Sequence, residues 1–446
     1  MTFKEGLIRA RGHLVFLAGL AVAFGTAIAL EQSKIQTPAA AATLPVQSLA
    51  GGLPAVPPPA PLTEEDLRRA RIAWTYFEVN LRPETGLVDS VDKYPATTMW
   101  DTASYLMALL SARRLELIPQ ETFDTRLAAA LAALGRLPLF DGKLPNKSYN
   151  TVSLAMVDYN NRPVERGIGW SAIDIGRLLV PLNIVVWEHP QHTPAVRAVL
   201  ARWDLGALLR DGLLYGAAVQ PDGTVKKQQE GRLGYEEYAA RSFSLRGEDV
   251  STAALSLDLV AWVKIDGVQV ATDSRTAQAF GAHNYVVSEP YVLDGLEFGW
   301  DGTSRDLAAR VYRAQEAHWR HTGVLTAVSE DNIDRPPYFV YNTVFSDGKA
   351  WNALTDTGAD ASADRSLSVK AAFGWDALYR TAYTADLVKA VQALFDPRRG
   401  WYSGLYEKDG QPNKAITCNT NAIILESLAY RRGGPLLSSG AVKAAP

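Results

Sequence analysis

The stretch GLLYGAAVQPDG, residues 212–223, decides the fold. A glycine leads alternating apolar residues, and polar turn residues close the run. The same order returns as GLVDSVDKYP at Gly86, GKLPNKSYNT at Gly142 and GVQVATDSRT at Gly267. It returns twice more, as GVLTAVSEDN at Gly323 and GWYSGLYEKDG at Gly400. Neighbouring glycines of the set lie 55 to 77 residues apart. Between them, residues 99–115, 170–187, 304–319 and 416–430 carry apolar side chains at helical spacing. A period of this length marks a repeated supersecondary unit. One helical hairpin cannot bury its apolar face alone, so neighbouring units must pack together. Six units closed on themselves predict an all-α chain. The expected fold is an (α/α)6 toroid of six helical hairpins, with short β-like loops on one face.

If the units are equivalent, the helix after each loop starts on the same rim. The six starts are TTMWDTASY, VERGIGWSAID, LGYEEYAARSF, VVSEPYVLDG, KAAFGWDALY and TCNTNAIILE. They carry Trp100 and Asp101, then Glu165, Trp170 and Asp174, then Tyr235, Glu236 and Glu237. Next come Glu289 and Tyr291, then Trp375 and Asp376, then Asn419 and Asn421. Acids and Asn at helix starts serve as caps and offset the helix dipole. Caps do not require neighbouring indole and phenol rings, and these have them.

Acids and aromatic rings around one cleft suit glycoside hydrolysis. One carboxylic acid protonates the leaving oxygen. A second activates water, roughly 6.5–9.5 Å away in inverting enzymes. Apolar walls raise the donor's pKa by desolvation. Asp101, Glu237 and Glu289 are the expected catalytic carboxylates, with Glu165, Asp174, Glu236 and Asp376 in reserve. Trp100, Trp170, Tyr235, Tyr291 and Trp375 are expected to hold sugar, with Asn421 beside them. Asp294 and Glu297 are placed on the helix body or its surface. Residues 331–365 form the longest insertion before a helix. With Asp331, Tyr338, Tyr341 and Trp351 it is expected to cover the cleft.

The chain has 446 residues, 47% of them hydrophobic, and a formal charge of −3. No basic block points to nucleic acid. The single cysteine, Cys418, excludes an intrachain disulfide and reads as packing. His318-x-x-His321 shows no third ligand in the sequence, and neither a metal nor a cofactor is expected. No Walker A pattern or dinucleotide fingerprint occurs. Lys4, Arg9 and Arg11 precede residues 14–30, which carry no charge. Residues 1–30 read as a signal peptide or an uncleaved inner-membrane anchor. Residues 31–61 read as a Pro/Ala-rich linker, 62–437 as the toroid and 438–446 as a tail. Either reading of the N-terminus puts the body in the periplasm, released or tethered.

PETGLVDS, GYEEYAAR, SEPYVLDGLEFG and NTNAIILESLAY together resemble an exported bacterial family known as domain of unknown function 3131. That family is similar to the glycoamylase-like (α/α)6 group, which includes endo-β-1,2-glucanases and domains of cyclic β-1,2-glucan synthases. DTASYLMALLSAR, from Asp101, is similar to a glucanase helix of pattern E-T-A-F-L-x-x-G-L-L-T-A-R. The resemblance implies a catalytic role for Asp101, although the family residue is Glu. The G-G-D before that helix is here Thr98-Met99-Trp100. An exported, inverting hydrolase of a β-glucan or exopolysaccharide is the leading expectation. A membrane-tethered glycan-binding component without turnover is the alternative, and a toroid that docks proteins is a third.

Overall fold

The computed structural model describes residues 47–437, apart from 231, 255–256 and 281–282. The signal or anchor segment, the first part of the linker and the tail lie outside the described residues. No helix among the described residues is long and apolar enough to cross a membrane.

Eleven α-helices of five or more residues organise the described residues: α1 (Glu64–Val79), α2 (Met99–Arg114), α3 (Gln120–Arg136), α4 (Ala172–Glu188), α5 (Thr193–Leu200), α6 (Tyr235–Ser244), α7 (Glu289–Leu293), α8 (Gly302–Thr322), α9 (Val369–Tyr379), α10 (Ala382–Val391) and α11 (Cys418–Gly433). Six of them pack in a closed order: α2 on α4, α4 on α6, α6 on α7, α7 on α9, α9 on α11 and α11 back on α2. Each is the helix that follows one of the six glycine-led loops. Their sequences explain the inner position. α11 buries every residue from Thr420 to Tyr430, and α2 every residue from Thr102 to Ala112. A helix that is buried all round belongs inside. Outer helices bury one stripe. α3 buries Phe123, Leu127, Ala130, Leu131 and Leu134, at spacings of three and four.

All six loop glycines have positive φ. Gly86 shows why one cannot be replaced. A Cβ there would lie 2.5 Å from the Ala129 side chain, at φ +74°. The loops lead into strands or bridges that reach the starts of the inner helices. Ala96–Thr98 pairs antiparallel with Ser148–Asn150, with Thr97 opposite Tyr149. Ser366–Ser368 pairs antiparallel with Gly400–Tyr406.

Two expectations are corrected. The chain is not all-α, because the described residues hold seven small sheets. The fourth unit also lacks an outer helix. A single helical turn, Ser251–Ala254, stands there beside a hairpin of Val260–Ile265 and Val268–Asp273. VAWVKI-DG-VQVATD is an alternating pattern across an Asp-Gly turn. Asp266 and Gly267 both have positive φ, as a two-residue hairpin turn requires. The last part of the linker is docked rather than free. The Gln47 N–H donates to Gln269 Oε1 at 2.7 Å, and the Ala60 N–H to the Arg431 carbonyl at 2.8 Å.

Candidate active site

Four inner helices meet at Glu289. It opens α7, just after Ser288 and before Pro290. The Trp100 indole N–H, from α2, donates to its Oε1 at 3.0 Å. The Asn419 amide, from α11, donates to both oxygens at 2.8 and 3.0 Å. Lys370, from α9, makes an ion pair with it. The Lys370 ammonium also lies 3.6 Å from Asp331. Glu289, Lys370 and Asp331 are all buried. Glu289 is therefore a fixed acceptor in the floor.

Two further carboxyls on the inner helices are only partly buried. Asp101 and Asp174 are each the third residue of an inner helix, α2 and α4. The Thr98 hydroxyl donates to Asp101 at 2.8 Å, and the Ser171 hydroxyl to Asp174 at 2.9 Å. The N–H of each acid donates back to that hydroxyl, so Thr98 and Ser171 cap the two helices. Burial raises the Asp101 carboxyl above its ordinary range. The Ser90 and Thr98 hydroxyls oppose the rise, and the charge of Glu289 adds to it. Burial and the nearby Glu230 push Asp174 up to about 7. Asp331 is also pushed to about 7 by burial, against the pull of Lys370. Burial favours the neutral acid at each of these positions, while the Lys370 ammonium favours charge at Asp101 and Asp331, and Lys147 does so at Asp174.

The DUF3131 family pattern, described as a protein of unknown function, matches residues 68–434. The chain belongs to that family. No curated protein matches it. Solved structures share its fold at low identity. The endo-β-1,2-glucanase from Chitinophaga pinensis aligns with TM-score 0.58 at 12% identity, over 84% of this chain and 94% of that one. The Talaromyces funiculosus endo-β-1,2-glucanase aligns with TM-score 0.56 at 11% identity, over 84% of each chain. A Bacteroides uniformis protein provisionally named a glucoamylase aligns with TM-score 0.60 at 8% identity, over 85% of this chain and 94% of that one.

Beneath the floor of this DUF3131 domain runs a buried polar chain. Arg177 pairs with Glu297 at 2.8 Å and Glu426 at 3.2 Å. It also donates to the Tyr238 hydroxyl at 2.8 Å, and that hydroxyl donates to Glu297 at 2.6 Å. Burial drives the Glu426 carboxyl well above the carboxylate range, against the pull of Arg177. Arg177 donates to Ser104, and Ser104 to Asn419 Oδ1 at 3.1 Å. Asn419 in turn holds Glu289. The Arg177 guanidinium also lies under the Trp100 ring, 4.9 Å from its centroid. Positioning thus passes from the axis to the floor.

The fold brings Asp101, Asp174, Glu289, Trp100 and Asp331 to this site. Tyr235 joins them, edge-on to Trp100 at 5.5 Å. Other expected residues go elsewhere. Glu237 accepts from the Gly234 N–H at 2.5 Å and lines a separate cavity of about 130 Å³ with Arg241 and Asp294. Burial and the neighbouring Glu236 push it to about 8. Glu236 is tied to Arg275 at 2.6 Å. Glu165 is exposed on a loop. Asp376 accepts from Thr384 of the outer helix α10 at 2.9 Å. Trp170, Trp375, Tyr291 and Asn421 are buried frame residues. The Trp170 indole bonds the Tyr215 carbonyl, the Trp375 indole bonds Ser288, and Asn421 accepts from the Trp401 N–H. Asp294 and Glu297 lie on the helix body, one of the two placements expected, and are buried there in ion pairs with Arg241 and Arg177.

Within the insertion, Trp351 does not hang over the floor. Its indole donates to Asp266 at 2.9 Å, and its ring lies 4.0 Å from that of His318. His318 and His321 both bond Asp266, at 3.0 and 3.1 Å. Tyr338 is 60% exposed. Among the described residues there is no metal-holding cluster of His, Cys, Asp and Glu. Sequence reasoning missed Lys370, Arg177 and Glu230. A lysine one residue into an apolar helix start, as in SVKAAFGW, was the available signal for the first.

Proposed function

We propose that this chain is a glycoside hydrolase acting on a glucan, with the six-helix circuit forming an (α/α)6 toroid. The observation that carries the reading is the pair of partly buried carboxyls on the inner helices, Asp101 and Asp174, together with a buried, donor-saturated Glu289. Asp174, at about 7, is partly protonated at neutral pH and gives its proton to the glycosidic oxygen. The C1–O bond breaks. Asp101 accepts a proton as water adds to C1, and solvent resets both groups. Glu289 touches neither reacting atom in this scheme. It fixes Trp100, Asn419 and Lys370, so it is a positioning residue. Trp100 and Tyr235 offer ring faces to the sugar. The likeness to endo-β-1,2-glucanases supports a β-1,2-glucan as substrate and endo cleavage; inversion is part of the proposed two-carboxyl scheme. The charge pattern of residues 1–30 supports export to the periplasm, with or without an anchor.

The test is release of reducing ends from β-1,2-, β-1,3- and β-1,4-glucans by the intact chain, beside Asp101→Asn and Asp174→Asn. Turnover of one glucan, cut at least a thousandfold in both variants, is expected. Wild-type rates in either variant would remove that residue from the chemistry. Binding without turnover across the panel would instead identify a tethered glycan-binding component.

A further inference from the structure

We propose that Glu230 is a positioning residue for the proton of Asp174: its carboxylate takes the Ala172 N–H at the start of α4 and leaves the proton of the pair on Asp174. The proposal rests on the reading above, in which Asp174 is the donor. The two acids come from different segments and are held on adjacent residues. The Ala172 N–H donates to Glu230 Oε2 at 2.5 Å. The Ser171 hydroxyl donates to Asp174 Oδ1 at 2.9 Å, and the Asp174 N–H donates back to that hydroxyl at 3.1 Å. Both carboxyls are therefore tied to the first turn of one helix. Each is only partly exposed.

The chain builds a place for Glu230. It directly follows the strand Val225–Gln229, which pairs antiparallel with Leu213–Val219. That hairpin is docked on the approach to α4. The Ala217 N–H donates to the Trp170 carbonyl at 2.9 Å, and the Trp170 indole to the Tyr215 carbonyl at 3.1 Å. The Glu230 N–H donates to the Leu214 carbonyl at 2.9 Å. Gly216 leaves the room. A Cβ there would lie 2.5 Å from Glu230 Oε2 and 2.7 Å from its carboxyl carbon. Gly216 is not among the positive-φ glycines, so its missing side chain serves the carboxyl rather than the backbone.

Two partly buried carboxyls on one helical turn resist ionising together, and the pair shares a proton. The N–H groups at a helix start favour the anion that they touch. Glu230 has that contact, whereas Asp174 rests on a hydroxyl. Burial raises Glu230, and Lys147 with the bonds from Ala172, Ser171 and Ile173 pulls it back. At Asp174, burial and the Glu230 charge raise the carboxyl, Lys147 opposes them, and Asp101 adds to the rise. Burial holds the Tyr159 hydroxyl, which feels both acids, well above the tyrosine range, so it carries no charge. After Asp174 has given its proton to the glycosidic oxygen, the Glu230 charge favours its return from solvent.

Carboxyl-carbon NMR of the full chain, isotope-labelled at aspartate Cγ, reads the Asp174 midpoint, with Asp174→Asn assigning the signal. Wild type is expected to titrate at about 7. Glu230→Gln keeps an oxygen for the Ala172 N–H and removes the charge. Its Asp174 midpoint should fall by about one unit, and the basic limb of the pH–rate profile should move down with it. Gly216→Ala, whose methyl pushes the flexible Glu230 carboxyl aside, should move both the same way. If Glu230→Gln fails to fold, Gly216→Ala carries the test. An unmoved Asp174 midpoint in the folded variants, or a wild-type midpoint of about 4, overturns the proposal; reducing ends released under those conditions would leave the hydrolase reading standing without it. A midpoint that moves in a chain releasing no reducing ends from any glucan would keep the assignment of the proton and remove the hydrolase reading.

Discussion

The Lys370 ammonium and the Glu289 carboxylate form a buried ion pair at the meeting point of α7 and α9. Neither group reaches water, so each relies on the other for its charge. Lys370→Met leaves a buried anion unpaired and is expected to cost about 3–5 kcal/mol. Combining it with Glu289→Gln should recover much of that loss. Urea denaturation of the two variants measures both effects; equal stabilities would mean the pair is not coupled.

Asp174 makes stability depend on pH in a known direction. Its folded carboxyl titrates at about 7, and an unfolded aspartate near 3.9. Between these values the folded state holds a proton that the unfolded state has lost, so stability falls as pH rises through this window. Below about 4 both states are protonated and the effect is absent. Asp174→Asn should therefore melt higher than wild type at pH 7, with the gain shrinking towards pH 4. Thermal melts across pH 4–8 check it.

The same group should set the basic limb of activity. Hydrolysis is expected to decline above about pH 7, as Asp174 loses its proton. A pH–rate profile with no inflection near there would remove the donor role from Asp174.

Asn419 offers its amide to Glu289 and its carbonyl to Ser104. Asn419→Asp keeps the shape and replaces the donor by an acceptor facing an anion. We expect kcat to fall about a hundredfold, about 2.7 kcal/mol, with KM little changed. Equal losses in Asn419→Asp and Asn419→Ser would argue for shape rather than donation.

Two loop glycines separate backbone strain from crowding. A Cβ on Gly142 meets nothing within 4 Å, whereas on Gly86 it strikes Ala129. Both have positive φ. Gly142→Ala should cost about 1 kcal/mol and Gly86→Ala about 3 kcal/mol, since the second adds overpacking to strain. Chemical denaturation ranks them.

The spacing of the glycine-led loops was legible in sequence. It is a local matter of φ preference and periodicity. The six helix starts were legible for the same reason, and with them Asp101, Asp174 and Glu289. The missing fourth outer helix was not foreseen, although the alternating run around Asp266 carried its signal. Which polar group at each start faces the axis was decided by tertiary packing. A helix turns about 100° per residue. Asn419 therefore meets Glu289 while Asn421, about 200° further round, is sealed against Trp401. Trp100 reaches the floor while Trp170 and Trp375 are buried in the frame. The ion pair of Lys370 with Glu289 and the axis held by Arg177 join residues far apart in the chain. Their charges are tolerable only because the closed packing of the inner helices brings partners to them, and no local pattern in the sequence records that.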